Sequence, residues 1–319
     1  MKPGILMAAI FVLAGCGGSS KEREETRKVT EPPIGKGDGA HRVAQLRGLH
    51  GPESARYDPE LDVFYVSNMT GYGSDKDGNG YIVRVPADDF SKATVLVDGG
   101  SGKVVLNSPK GLALHGDTLW AADIDVLRAF DRRTGASLAN VDLSSQGAVL
   151  LNDVAIGGDG RIYVTDTGIL MTDKGVLHPG GDKIFAIGPN GTISVIAQGN
   201  QLDRPNGITW DTKNNRLVVV SFDPFHSTVY TLAAGNAKPM VLANGKGKFD
   251  GLEFLDDGSM LVSSWADSSV HSFRGNDDRR VAIGVPTPAD IGVDTKRHRI
   301  AVPSSMMDRV ELWELENRD

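Results

Sequence analysis

Pro205-Asn206-Gly207-Ile208-Thr209-Trp210, followed after one turn by Val218-Val-Val-Ser221, is the stretch whose reading decides the fold. A polar head opens a run in which apolar and polar side chains alternate. A turn follows, then a second apolar run that ends in a small residue. Alternation at period two is the mark of a half-buried strand. The pattern recurs at Glu53-Ser-Ala-Arg-Tyr57 with Phe64-Tyr-Val-Ser67, Lys110-Gly-Leu-Ala-Leu114 with Leu119-Trp-Ala-Ala122, and Asn152-Asp-Val-Ala-Ile156 with Ile162-Tyr-Val-Thr165. Two more copies follow, Asp250-Gly-Leu-Glu-Phe254 with Leu261-Val-Ser263 and Ala289-Asp-Ile-Gly-Val293 with Ala301-Val-Pro-Ser304.

Ser67 and Ser304 hold equivalent places five repeats apart, a period of about 47 residues and in the range of propeller blades. Each copy has room for two further strands, as at Val270-His-Ser-Phe273 and Arg280-Val-Ala-Ile283. The expected fold is therefore an all-β, six-bladed β-propeller with four antiparallel strands per blade. After Arg309-Val-Glu-Leu-Trp-Glu-Leu315 the chain stops one strand short, while His41-Arg-Val-Ala-Gln-Leu46 stands before the first repeat without a blade. Pairing these two runs closes the last blade with an N-terminal strand and leaves no open edge.

Composition agrees. The 319 residues are 40% hydrophobic, enough for a sizeable core, and the 39 glycines suit a turn-rich all-β chain. A net charge of −7 without a basic stripe excludes nucleic acid as an expected partner. No Gly-Xaa-Ser-Xaa-Gly elbow and no Walker-type phosphate loop occurs, so serine-hydrolase and nucleotide-hydrolase chemistry lack their motifs.

The first residues read differently. Lys2 precedes the apolar run Ile5 to Ala14, too short to span a bilayer, and Leu13-Ala14-Gly15-Cys16 resembles a bacterial lipobox. Residues 1–16 are thus expected to be a lipoprotein signal peptide with Cys16 the lipidated residue. Residues 17–40, polar and broken by Pro32-Pro33 and several glycines, are expected to be a disordered tether, and 41–319 the propeller. The expected location is the bacterial cell envelope, lipid-anchored on the periplasmic or extracellular face. Cys16 is the sole cysteine, so the body has no disulfide, and it reads as a monomer.

First strands line a propeller's channel, and their heads converge at one mouth. The column of heads is Glu53, Lys110, Asn152, Asn206, Asp250 and Ala289. Glu53, Asn152, Asn206 and Asp250 offer hard oxygen donors at one common offset, four residues before Tyr57, Ile156, Trp210 and Phe254. Two carboxylates and two amides suit one divalent cation, calcium first, with magnesium, manganese or zinc as alternatives. Lys110 is expected at the channel rim, turned to water or to an anionic ligand group. His226 and His115 are the imidazoles expected nearest this face, His226 as a substrate-binding residue.

These residues, in the contexts Pro52-Glu53-Ser54-Ala55-Arg56-Tyr57, Asn152-Asp153, Pro205-Asn206-Gly207 and Asp250-Gly251-Leu252, resemble the gluconolactonase, regucalcin (senescence marker protein) and strictosidine-synthase-like superfamily of six-bladed propellers. The resemblance spans roughly Ala40 to Glu316. It implies one divalent cation held by Glu53, Asn152, Asn206 and Asp250, and hydrolysis of a sugar lactone or related ester. Asp250 is the carboxylate expected to handle the attacking water as well. Where the sugar-lactonase branch carries a substrate-holding arginine, two residues before the first asparagine, this chain has Leu150. Two functions follow as expectations: a membrane-anchored, metal-dependent hydrolase of a lactone or small ester, or a non-catalytic propeller that binds a ligand or protein and keeps the metal as structure.

Overall fold

The structure is a computed structural model that describes residues 37–71, 73–232 and 238–316. Cys16, the leader and most of the expected tether lie outside the described residues.

The repeats of the sequence become six four-stranded antiparallel sheets. From channel to rim, blade 1 is Pro52–Asp58, Val63–Asn68, Tyr81–Pro86 and Thr94–Asp98. Blade 2 is Pro109–His115, Thr118–Asp123, Val126–Asp131 and Ser137–Asp142, and blade 3 is Leu151–Ile156, Ile162–Asp166, Lys183–Ile187 and Ile193–Gln198. Blade 4 is Pro205–Asp211, Arg216–Ser221, Ser227–Leu232 and Pro239–Gly245, and blade 5 is Phe249–Phe254, Met260–Ser264, Ser269–Arg274 and Asp277–Ile283. Blade 6 takes Gly292–Asp294, Arg299–Ser304 and Arg309–Leu315, then Ala40–Arg47 as its outer strand.

The expected closure is present. Ala40 pairs with Leu315 and Arg47 with Arg309, antiparallel along the whole length. The folded chain begins a little before the boundary read at residue 41, because the Asp38 N–H donates to the Arg280 carbonyl of blade 5. Residues 37–40 are therefore held by the propeller, a correction to the tether's expected end.

Apolar clusters fill the wedges between blades. Tyr65 and Ile82 of blade 1 meet Leu112, Leu119 and Phe130 of blade 2. Leu46, Val310 and Leu312 of blade 6 meet Tyr57 and Phe64 of blade 1. The strands in these wedges are thus buried on their blade-facing side chains, which is what period-two alternation in the sequence encodes.

One element departs from the regular pattern. Blade 3 carries a hairpin, Leu170–Thr172 paired with Gly175–Leu177, between its second and third strands. It lies at the mouth of the channel, where Met171 N–H donates to Ser74 Oγ of blade 1 at 2.9 Å.

Candidate active site

Five of the six inner strands have the same irregularity at their heads. In blade 1 the register shifts between Pro52 and Ala55, and the same shift falls between Pro109 and Leu112, Leu151 and Val154, Pro205 and Ile208, and Phe249 and Leu252. One extra residue per inner strand is a β-bulge, which frees a backbone N–H and redirects a side chain. In three blades the freed N–H is taken up by a small hydroxyl residue, the last but one of the second strand: Ser54 N–H donates to Ser67 Oγ, Asp153 N–H to Thr165 Oγ1, and Gly251 N–H to Ser263 Oγ. Two of these hydroxyls also reach the next blade. Thr165 Oγ1 donates to the Asn206 carbonyl at 2.6 Å, and Ser263 Oγ to the Ala289 carbonyl at 2.8 Å. The small residues therefore hold successive heads at one height.

The Asn206-Gly207 and Asp250-Gly251 pairs, whose bland reading is a turn, lie inside inner strands instead. A Cβ on Gly207 would stand 2.2 Å from the Asp250 carbonyl oxygen, and one on Gly251 would stand 2.5 Å from Asp290 Cα. Neighbouring inner strands approach too closely there for any side chain.

Glu53, Asn152, Asn206 and Asp250 all line a single cavity of about 330 Å³ at the mouth. Each is buried, and each keeps one buried side-chain oxygen without a hydrogen-bond partner: Glu53 Oε2, Asn152 Oδ1, Asn206 Oδ1 and Asp250 Oδ1. Leaving a buried acceptor unsatisfied costs about 1–3 kcal/mol, so four at one spot call for a common partner. A hard divalent cation is a group that such a donor set fits.

The local charge points the same way. Burial, then the fields of Asp250 and Asp290, hold the Glu53 carboxyl well above the usual carboxylate range. Burial and Asp290 do the same to Asp250, with Trp265 opposing. Beneath the heads, Asp290 is pushed up to about 7, chiefly by burial. Arg56 reaches across the channel from blade 1 to pair with Glu253 of blade 5, and lies 3.8 Å from Asp290 Oδ2. Its Nε donates to the Leu112 carbonyl at 2.8 Å. The buried carboxylates Glu53, Asp153, Asp250 and Asp290 outnumber the cations Arg56 and Lys110 around them, and added positive charge relieves that excess.

Other expected residues fall elsewhere. Lys110 is not turned to water at the rim: it is 1% exposed, and its ammonium donates to the Gly73 and Ser108 carbonyls at 2.8 and 3.1 Å. Burial lowers it to about 8 against the raising field of Glu53. It lines the cavity with its donors already engaged. His226 does not line the cavity. Its side chain is 72% exposed, with Nδ1 3.2 Å from Asp223 Oδ1, which also accepts the backbone N–H of both Phe225 and His226. His115 ends its strand opposite Thr118, at the far end from the head Lys110, and is exposed. Leu150 is fully buried in the core and does not line the cavity.

Sequence reading missed three basic residues of the cavity wall. Arg204 and Lys248 stand two residues before Asn206 and Asp250, the same offset that Leu150 has from Asn152. Both have left-handed backbones, φ 58° and 53°, which cost a non-glycine residue about 1 kcal/mol or more and collect at functional sites. Arg204 is paired with Asp223 at 2.8 Å. The third is His178, which follows the hairpin and bonds Asp182 at 2.6 Å. Its signal was the length of residues 167–182, compared with residues 222–226 at the same place in blade 4.

Two other features lie apart from the four donors. At the rim, Asp203, Asp223 and His226 bring ligand atoms within 4.8 Å of one another. A larger groove of about 1010 Å³, lined by Arg274, Arg279 and His298 among others, lies between blades 5 and 6 and includes none of the donors.

Residues 52–292 match the protein family described as the SMP-30/Gluconolactonase/LRE-like region. No curated protein sequence matches the chain. Among solved structures, a gluconolactonase from Xanthomonas campestris superposes with a TM-score of 0.62 at 15% identity, covering 89% of this chain and 98% of that one. A luciferin-regenerating enzyme gives 0.63 at 13%, covering 87% and 95%. The PQQ-bound aldose sugar dehydrogenase of Streptomyces coelicolor gives 0.61 at 17%, covering 89% and 100%. At such identities the likeness shows the fold alone, and the three names span different chemistries.

Proposed function

Because the chain belongs to the SMP-30/gluconolactonase/LRE-like family, we propose that it is a divalent-cation-dependent hydrolase of a lactone or small ester, with Glu53, Asn152, Asn206 and Asp250 as the cation's protein ligands. The observation that carries this reading is the set of four buried, unpartnered oxygens on one cavity wall. When bound, the cation supplies Lewis-acid polarisation of the substrate carbonyl.

The rest falls to the chain's own groups. Asp250 takes a proton from the attacking water and returns it to the departing alkoxide, so that one ester and one water become one acid and one alcohol. Burial and Asp290 raise its carboxyl above the usual carboxylate range, which makes it a stronger base than a solvated carboxylate. The Arg56 layer closes the channel below the heads and holds the floor fixed. Calcium is the cation proposed first, on the strength of an all-oxygen donor set without imidazole or thiolate.

The buried Leu150 favours a second reading, in which the cation is structural and the cavity binds a ligand without cleaving it. A lactone and aryl-ester panel, assayed with added calcium and with chelator, separates them. Chelator-sensitive turnover supports the hydrolase. Cation binding with no turnover on the whole panel supports the binding module. In either case we place the protein in the bacterial cell envelope as a monomer, anchored through lipid on Cys16, on the lipobox reading of its first residues.

A further inference from the structure

The cavity wall divides into a polar floor and an apolar side. Met69, Ile169, Met171, Val176 and Leu177 line it from the blade 1 loop and the inserted hairpin, with Phe222 facing them from blade 4. Met69 and Ile169 are packed and buried, whereas Val176 and Leu177 are each 62% exposed although they face the cavity. The hairpin thus presents apolar surface at the mouth that none of the described residues covers. It is also held in place, through Met171 N–H on Ser74 Oγ and through Gly73, whose carbonyl is fixed by Lys110.

Besides the four donors, the polar residues of that wall are Lys110, His178, Arg204, Lys248, Trp265 and Ser305, and Trp265 Nε1 and Ser305 Oγ have no hydrogen-bond partner. Leu150 is withdrawn into the core, Lys110 is spent on backbone carbonyls, Arg204 on Asp223 and His178 on Asp182. A polyol seated under the hairpin would leave its hydroxyls against Met171, Val176 and Leu177 without partners, which costs binding. An alkyl chain would cover Val176 and Leu177 and gain by it.

We infer that the substrate is an ester or lactone with an apolar chain, seated with its carbonyl over Glu53, Asn152, Asn206 and Asp250 and its chain under the hairpin Leu170–Leu177. This rests on the hydrolase reading and narrows it to a substrate class. At roughly 20 Å³ per atom and a packing density of ~0.74, the cavity holds about a dozen non-hydrogen atoms. That is the size of γ-decalactone. Glucono-δ-lactone has the same number of non-hydrogen atoms and differs in polarity, which makes it the matched control.

The experiment is a series of γ-lactones from butyro- to dodecano-, with glucono-δ-lactone alongside, on the calcium-loaded full-length protein. The expected kcat/KM rises about fourfold per added methylene and levels off near γ-decalactone. In the variant Val176→Asp/Leu177→Asp, both sites being largely exposed, the ratio of γ-decalactone to γ-butyrolactone turnover should fall tenfold or more with little change in Tm. Binding of the non-hydrolysable γ-decanolactam is measured in parallel against 2-pyrrolidinone. A flat series, or glucono-δ-lactone turned over as fast as γ-decalactone, overturns the inference and leaves the hydrolase standing. Tight γ-decanolactam binding, weakened in the double variant, with no lactone cleaved upholds the apolar cavity and removes the hydrolase. Neither turnover nor lactam binding overturns both.

Discussion

Ser54 Oγ donates to Asp290 Oδ2 at 2.5 Å, although 236 residues of chain separate the two. Ser54 belongs to the inner strand of blade 1 and Asp290 to the head of blade 6. The Ala55 N–H also donates to the Asp290 carbonyl, and the Asp290 N–H to the Glu53 carbonyl. The last blade therefore fixes the backbone of Glu53, the first of the four oxygen donors along the chain, and ring closure and site geometry are one construction.

Closure can be tested from the rim. Trp313, 1% exposed, packs in blade 6 beside Ala40 of the N-terminal strand. Trp313→Ala should cost about 3–5 kcal/mol, the usual range for a buried aromatic, read by urea denaturation. Deleting residues 40–47 should abolish cooperative unfolding altogether, because it bares the edge of Arg309–Leu315. A deletion variant that still melts cooperatively would show that the closing strand is dispensable.

Calcium should stabilise the protein by roughly 2.7 kcal/mol at a hundred times its Kd. The gain should vanish in Asp250→Ala, whose carboxylate is one of the four unpartnered donors. Differential scanning fluorimetry with calcium titrated into chelator-treated protein gives the comparison directly. Equal stabilisation of both proteins would remove Asp250 from the ligand set.

The cation-free protein should grow less stable as pH rises from acid to neutral. Glu53 and Asp250 are raised well above their usual values, and Asp290 to about 7. A carboxyl raised in the fold binds its proton more tightly there than in the unfolded chain. Its contribution is complete below the unfolded value near 4 and is lost as pH climbs through the folded value. Tm in chelator should therefore decline from about pH 4.5 to 7.5, and calcium should flatten the decline by compensating the negative charge. A chelated protein whose Tm is level across that window contradicts the burial of these carboxyls.

Thr165 touches no donor oxygen, yet it should matter to cation binding. Its hydroxyl accepts from Asp153 N–H at 2.9 Å and donates to the Asn206 carbonyl at 2.6 Å. Thr165→Val keeps the volume and removes both bonds, leaving buried backbone groups unpaired at about 1–3 kcal/mol each. Calcium affinity measured by calorimetry should fall with it. Thr165→Ser, which keeps the hydroxyl, should restore most of the affinity.

Cys16→Ser tests the anchor. The expected outcome is release of the protein from the membrane fraction, with the Tm of the propeller unchanged. Unaltered fractionation, with no lipid mass on the mature N-terminus, would refute the lipobox reading.

Much of this molecule is legible in its sequence. Period-two alternation within each run, and six runs at a constant spacing, could only be satisfied by strands that bury one face apiece in a repeating ring. His41 to Leu46 announced the closing strand because a propeller with an open edge would carry unpaired N–H and C=O groups. The column of Glu53, Asn152, Asn206 and Asp250 was legible for the same reason, since residues in one register of equivalent strands share a height. The roles of Lys110, His226, Arg204 and Lys248 were not. Whether a cation meets water, a carbonyl or a cavity depends on the direction its side chain takes from a bulge or a left-handed residue, and local sequence does not encode that direction. The hairpin at Leu170–Leu177 was hidden as well, because its apolar side chains find their meaning only against the wall of another blade. Strand, spacing and column were thus determined by the sequence itself, through local periodicity. The contents of the cavity were decided by the tertiary structure, because only closure of the ring brings residues as distant in the chain as Glu53 and Asp250 to the wall of one buried cavity.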